Sequence, residues 1–523
     1  MWIHLSREPV GRLWGLFVLL LLGAQVGGPS VWQPTRANGQ GPEQLLPLTA
    51  VEKRVELFCG DCHRLPAPHS FDRDRWHFEV KRGYEFYAKS GRQDLELPTL
   101  EETLNYYRQR APQQLEYKTS PEATGAVPLQ FTPERLTLGT GILPEIADIN
   151  WTRLAQAGPA ILLATDLRHG QVVSIDLART NRQPPRVLAQ LRNPGRTRIC
   201  DLDGDGQFEI LVADLASYLP SDHQRSRLVL LRPRAAGNIY QEIELLTGLG
   251  RISDVVVEDL DGDDRKDLVV AEFGWRDVGR LLIAQNVSSG EPLEFQLQTV
   301  DDRPGALALR LQDFDGDGRA EIAAIYSQEY EAIDVFRNNR GRYSCQNVWQ
   351  AEDLTFGCSG LDVVDLNQDG KADILFTNGD AFDNSYVSPG HGVQWLENQG
   401  GLKFQYHRLT EMPGAYCARV ADFNQDGRLD IIASARLPAT TQPLNTPRFA
   451  SIVLLLQLEG GSFDRYTLEW DSPYYPTLAV GDFDSDGDQD FVVASGPYIA
   501  ESRTAKGEQS YLSVWWNEGQ VKK

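Results

Sequence analysis

The sequence predicts an all-β, seven-bladed β-propeller preceded by a small all-α domain. Three observations carry this prediction. An Asp-rich loop recurs six times in register between Asp201 and Asp490. A short apolar strand precedes and follows every copy, and two more strands fill each interval, which supplies the four strands of a propeller blade. Upstream of residue 119, apolar residues recur at helical spacing instead.

The loops read DLDGDGQFE from Asp201, DLDGDDRKD from Asp259, DFDGDGRAE from Asp313, DLNQDGKAD from Asp365, DFNQDGRLD from Asp422 and DFDSDGDQD from Asp482. Their starts lie 58, 54, 52, 57 and 60 residues apart. Strands such as VVVE and LAVG lead in, and ILVA, LVVA and IIAS lead out. A seventh, decayed copy is expected 53 residues before Asp201, with Asp148 and Asn150 as the survivors of its ligand set. The last repeat is short of an outer strand. Leu129–Leu138, LQFTPERLTL, has the character of an outer strand, so it is expected to pair with the C-terminal strands and close the ring without an open edge.

The loop chemistry points to Ca²⁺, which takes six to eight oxygen ligands in flexible geometry. Positions 1, 3, 5 and 9 offer side-chain oxygens, and position 7 a carbonyl. The ligand sets are Asp201, Asp203, Asp205 and Glu209; Asp259, Asp261, Asp263 and Asp267; and Asp313, Asp315, Asp317 and Glu321. The remaining three are Asp365, Asn367, Asp369 and Asp373; Asp422, Asn424, Asp426 and Asp430; and Asp482, Asp484, Asp486 and Asp490. Asp264 stands where Gly is usual, and Asp tolerates the left-handed conformation better than most residues. An EF-hand is excluded: position 12 is apolar, as in Val212 and Val270, and strands flank the loops. The fourth and fifth loops carry one carboxylate fewer and are expected to bind more weakly. The D-x-D/N-x-D-G-x-x-D signature resembles the FG-GAP/VCBS repeat family over about residues 129–520. That resemblance implies a β-propeller with up to six Ca²⁺ between the strands of its blades.

Hydrophobic residues make up 41% of the 523, enough for a sizeable core. The net charge of −22 argues against nucleic acid, whose phosphates need a basic face. The six loops hold 24 carboxylates, so the acidity is chiefly that of the candidate metal ligands.

Residues 1–28 have the form of a signal peptide or N-terminal anchor. Arg7 and Arg12 precede the apolar run Leu13–Leu22, and the small residues Gly23, Ala24, Gly27 and Gly28 follow. No Cys follows closely, which argues against a lipoprotein anchor. Either form places the rest of the chain outside the cytoplasm, at a periplasmic or extracellular face, with a membrane tether if the segment is retained. There Ca²⁺ is plentiful and disulfides are permitted. Residues 29–47 are expected to be a linker.

Residues 48–118 are expected to form three helices. The first includes Val51, Val55, Leu57 and Phe58, and the second Trp76, Val80, Tyr84 and Tyr87. The third runs from Thr99 to Arg110 with Leu100, Leu104 and Tyr107 on one face. Residues 119–128 are a second linker, ahead of the propeller at 129–523. The first helix ends in Cys59-Gly60-Asp61-Cys62-His63, the C-x-x-C-H attachment pattern for a single covalent c-type haem, with His63 as an axial ligand to iron. A redox C-x-x-C lacks its βαβ context here, and a zinc half-site would have to recruit His69 and His77. The domain resembles a class I cytochrome c. That family commonly uses Met as the second axial ligand, whereas the Met residues here are Met1 and Met412. His77 is the candidate distal ligand, with His69, Lys, another domain or an open position as alternatives.

Weaker signals remain. Cys358 and Cys417 precede the fourth and fifth loops at similar positions, consistent with a disulfide or with buried thiols. The Gly- and Asp-bearing connection Asn378–Gly392, which includes His391, is either functional or an ordinary blade connection. No nucleophile or acid–base constellation is legible, so no catalytic residue is assigned. The sequence points to electron transfer, with a redox protein as partner and the propeller as docking scaffold. The alternatives are a periplasmic oxidoreductase with a small-molecule substrate in the propeller channel, and a binding or adhesion propeller in which haem is secondary.

Overall fold

A computed structural model describes residues 49–118, 120–136, 144–155, 158–234, 240–380, 386–437, 448–472, 474–494 and 512–521. The expected signal or anchor at 1–28 and the linker at 29–47 lie outside the described residues.

Seven four-stranded antiparallel sheets form the blades. The second strands of blades 2 to 6, Glu209–Asp214, Asp267–Glu272, Glu321–Tyr326, Asp373–Asn378 and Asp430–Ala435, are buried along their whole length. Each is sandwiched between the neighbouring blades, which is why these segments are almost continuously apolar instead of alternating. Outer strands such as Tyr240–Leu249 are largely exposed or half-buried. The inner strands are Ile146–Arg153, Pro194–Cys200, Ile252–Glu258, Ala306–Gln312, Cys358–Val364, Ala415–Ala421 and Thr477–Gly481, for blades 1 to 7 in turn. Each touches the next, and the first touches the last, so they enclose a central channel.

The ring closes as expected. Leu129–Leu136 pairs antiparallel with Leu512–Gln520, with Phe131 opposite Asn517 and Leu136 opposite Leu512, and becomes the outer strand of blade 7. Thr137 and Leu138, the end of the expected segment, lie outside the described residues.

Blade 1 corrects one expectation. The seventh repeat exists, but Asp148 and Asn150 are not remnants of its loop. They sit within the inner strand, where Asp148 pairs opposite Thr165 as Asp254 pairs opposite Ala271 in blade 3. Asp148 Oδ2 accepts from the backbone N–H of Thr197 at 2.9 Å, its hydroxyl at 3.0 Å and the Asn150 amide at 2.7 Å. The pair ties blade 1 to blade 2. The loop equivalent of blade 1 begins near Arg153 and has lost every ligand.

Helices α1 (Ala50–Cys59), α2 (Trp76–Ser90) and α3 (Leu100–Arg110) precede the propeller. Thr49 with Glu52, and Thr99 with Glu102, form capping boxes that satisfy the first N–H groups of α1 and α3. Val55, Phe71, Trp76, Val80, Tyr106 and Tyr107 form the core, with Trp76 stacked on Tyr107 at 3.9 Å. Two residues of the apolar helical patterns face water: Leu57 is 71% and Leu100 40% exposed. Leu57 is one step of about 100° round α1 from buried Phe58. The inward stripe of α3 is Thr103, Tyr106 and Tyr107.

Residues 49–523 form one compact unit, so the helices are seated on the propeller. Tyr386 donates to Asp72 at 2.9 Å, Ser70 donates to Asp353, and the Arg276 guanidinium lies 4.0 Å from the centre of the Phe86 ring. Residues 120–123 are laid along blade 6, where Ala123 N–H meets the Arg465 carbonyl and Glu122 pairs with Arg465. The seat is built from connections between second and third strands and between blades. The Asp-rich loops join inner to second strands, so in an antiparallel sheet they lie on the opposite face of the ring.

Candidate functional site

Within each Asp-rich loop, carboxylates organise the backbone. Asp313 accepts the N–H groups of Gly316, Asp317 and Gly318 at 2.7, 3.1 and 2.8 Å. Asp259, Asp365, Asp422 and Asp482 accept likewise, and Asp201 accepts from Gly206. Position 3 accepts from the N–H of position 5, as in Asp203, Asp261, Asp315, Asn367 and Asn424. The turn demands positive φ at positions 4 and 6, and Asp264 adopts it at 67°. Gln368 and Gln425 do so at position 4 with φ of 58° and 59°. These glutamines also donate to the carbonyls of Gly427 and Gly487 in the next blade's loop, a latch that the sequence motif did not reveal. Asn398, Gln457 and Asn517 similarly reach the carbonyls of Phe314, Leu366 and Phe423 in the preceding blade.

Position 9 opens the second strand and is buried in all six loops. One oxygen of Glu209, Asp267, Glu321, Asp373, Asp430 and Asp490 accepts the N–H of position 2. Burial, reinforced by the other loop carboxylates, pushes Glu209 and Asp490 up to about 7 and Asp430 to about 6. Asp267, Glu321 and Asp373 are raised by the same causes.

Four loops gather carboxylate oxygens within 4.8 Å of one another: Asp313, Asp315, Asp317 and Glu321; Asp201, Asp203 and Glu209; Asp259, Asp261 and Asp263; and Asp482, Asp484 and Asp490. Asp205, Asp267 and Asp486 do not join their loops' clusters. Asp201 Oδ1, Glu209 Oε1 and Asp484 Oδ1 are buried without a hydrogen-bond donor among the described residues. Crowded anionic oxygens without donors fit a hard cation. In blades 5 and 6 no such cluster forms among the described residues. Asn367 and Asn424 replace a carboxylate there, Lys371 holds Asp369 at 2.6 Å, and Arg428 pairs with Asp426.

The C-x-x-C-H segment leaves the end of α1 beside the propeller. Cys59 and Cys62 are free thiols. Burial pushes the Cys59 thiol up to about 11. Arg92 pairs with Asp61 at 2.6 Å and touches Cys62 Sγ at 3.6 Å, which holds the α2–α3 connection against the motif. His63 Nδ1–H donates to the Arg64 carbonyl at 2.8 Å, which leaves the Nε2 lone pair for a metal. Glu329, in the blade 4 connection, is raised by burial and partly offset by the nearby His63 and Arg276. The helical unit leaves Leu57, Phe78, Leu97 and Leu100 exposed. Two thiols and a free imidazole nitrogen fit the attachment of covalent haem. His77 is exposed on α2 beside Phe78, while its neighbour Trp76 enters the core, and among the described residues no contact joins His77 to His63.

The Asn378–Gly392 connection, apart from 381–385, which lie outside the described residues, supplies Tyr386 to the helical seat. It is anchored by His391, which is 1% exposed and accepts from Gly414 N–H at 3.1 Å. Burial, with Arg408 beside it, depresses His391 to about 3. Its folded pKa lies below the ordinary 6.5, so its stabilising contribution is full above pH 6.5 and is lost as pH falls from 6.5 towards 3. About 2 kcal/mol should be gone by pH 5. Urea melts at pH 7.5 and 5 should show a drop larger by that amount than in His391→Gln; equal drops would remove His391 as the cause. Cys358 and Cys417 are buried free thiols, the first residue of one inner strand and the third of the next, so they are not level.

Fold and site together define a seven-bladed β-propeller with Asp-rich hairpins on one face and a helical C-x-x-C-H unit on the other. A family model described as an FG-GAP-like repeat matches residues 190–270 and 313–376, which hold the loops of blades 2 to 5. The chain thus carries FG-GAP-like repeats. A search of curated proteins finds no match. Among the described residues, no helix is long and apolar enough to cross a membrane.

Proposed function

We propose that the chain is an exported c-type haem protein that transfers electrons, with a Ca²⁺-stabilised propeller as its seat and partner-docking scaffold. The observation that carries this reading is the C-x-x-C-H segment at the end of α1, with free thiols on Cys59 and Cys62 and His63 Nε2 left available. Haem bound there supplies a one-electron couple. The residues around it act as a mount. Cys59 and Cys62 tether the porphyrin, the Arg64 carbonyl orients His63, and Arg92 holds the adjoining connection in place. The Asp-rich loops bind Ca²⁺ on the far face, where its role is structural. The form of residues 1–28 supports export.

Expressed in a host that matures c-type cytochromes, the protein should carry haem that survives denaturation and changes its spectrum on reduction. The Cys59→Ala/Cys62→Ala double variant should lose all covalent haem. Wild-type protein without covalent haem under those conditions would overturn the proposal.

A further inference from the structure

The central channel carries a charge pattern that neither haem nor calcium uses. At the third and fifth positions of the inner strands the sign alternates by blade: Asp148 in blade 1, Arg196 and Arg198 in blade 2, Asp254 in blade 3, Arg310 in blade 4, Asp362 in blade 5 and Arg419 in blade 6. Blade 7 contributes the uncharged Thr477–Gly481. With an odd number of blades the alternation cannot close, and four guanidiniums are left facing three carboxylates.

Those carboxylates are already engaged. Asp254 is fully buried and shared by Arg198 at 2.6 Å and by Arg196 and Arg310 at 3.7 Å. Its oxygens also accept the N–H groups of Val255 and Leu309. Asp148 serves Thr197 and Asn150. Asp362 lies 3.4 Å from Arg310 and 3.9 Å from Arg419. Two guanidiniums are therefore under-used. Arg196 donates no hydrogen bond among the described residues, and its one ion pair is the 3.7 Å contact. Arg419 bonds only the carbonyl of its neighbour Ala418, at 2.8 Å. These two stand on blades 2 and 6, either side of blades 7 and 1, and repel each other across the channel. Their side chains stay 26% and 25% exposed, so solvent reaches them.

Under-paired guanidiniums in a concave channel attract an anion, and their planar forks match carboxylate or tetrahedral oxyanions. We propose that the channel binds one small oxyanion between Arg196 and Arg419, beside the uncharged inner strand of blade 7. This does not depend on haem binding.

The test is calorimetric titration of the full chain, at constant ionic strength set with chloride, using sodium sulfate and sodium succinate as probes. One saturable site for either probe is expected, and the stronger probe distinguishes a tetrahedral from a carboxylate ligand. Arg196→Gln and Arg419→Gln should each weaken it at least ten-fold, and Arg448→Gln, on the surface, should not. No saturable site, or unchanged binding in both channel variants, overturns the proposal. If the channel variants fail to fold, wild-type crystals soaked in selenate decide. An anomalous peak between Arg196 and Arg419 supports the site, and peaks confined to the outer surface overturn it.

Discussion

An internal deletion of residues 129–136 is expected to destabilise the propeller as a whole. This strand is the first of the propeller in the chain but the outermost of its last blade. Without it, Leu512–Gln520 becomes an open edge with unpaired N–H and C=O groups along its length. Phe131 also leaves its packing on Phe491 and Phe423, at 5.4 and 6.2 Å. Glu134 leaves Arg182 at 2.8 Å and the Trp516 indole N–H at 3.0 Å. The strand ties the two ends of the ring together, so its loss is not confined to one blade. A cost on the order of 5 kcal/mol or more is expected, at the extreme of what local changes produce. The deleted protein should melt more than about 5 °C lower and self-associate through the new edge. Phe131→Ala, a milder version at a half-buried site, should cost about 2 kcal/mol. Coincident melting curves for the deleted and full chains would show that blade 7 holds without its outer strand.

Chelation is expected to produce the second large effect. In the blade 4 loop, four carboxylates have oxygens within 4.8 Å of one another. At that separation each like-charged pair costs about 1–3 kcal/mol for effective dielectrics of about 80 to 20, with the exposed Asp317 at the low end. A bound Ca²⁺ reverses the sign of that interaction. At free Ca²⁺ a hundred times the Kd, each site adds about 2.7 kcal/mol, and four sites on the order of 10 kcal/mol. That is comparable to the whole stability of a typical domain. Excess EDTA should therefore lower the melting temperature on the order of 10–20 °C, reversibly on adding Ca²⁺. Titration should resolve a tighter class, from blades 2, 3, 4 and 7, and a weaker class, from blades 5 and 6, where Asn367 and Asn424 stand in place of a position-3 carboxylate. Melting that ignores EDTA would remove the structural role of Ca²⁺, and six equivalent sites would remove the ranking.

The parts legible in the sequence were those governed by local rules. The loop recurs because each hairpin needs the same Asx-turn ladder and the same buried acid at position 9. Asp264 could be kept in the set because the left-handed position demands tolerance and not Gly itself. Thr99 marked where α3 begins, and the structure closes a capping box there with Glu102. Leu100 shares its spacing with buried Tyr107 yet is exposed, because helical periodicity tells which residues share a face but not how far the cover over that face extends. Asp148 and Asn150 were misassigned because an Asp-x-Asn string looks alike in a loop and in a strand. Only pairing register separates the two, as the partnering of Asp148 with Thr165 shows.

By itself the sequence determined the repeat, the blade count, the closing strand and the C-x-x-C-H motif, since each is a matter of spacing along the chain. Tertiary structure decided what spacing cannot encode. It placed the helices on the face opposite the Asp-rich loops, made Tyr386 and Glu329 neighbours of the C-x-x-C-H unit, and brought Arg196 and Arg419 to one channel from positions 223 residues apart. Those contacts join residues remote in sequence. They exist only once seven blades close into a ring and every inner strand faces the same axis.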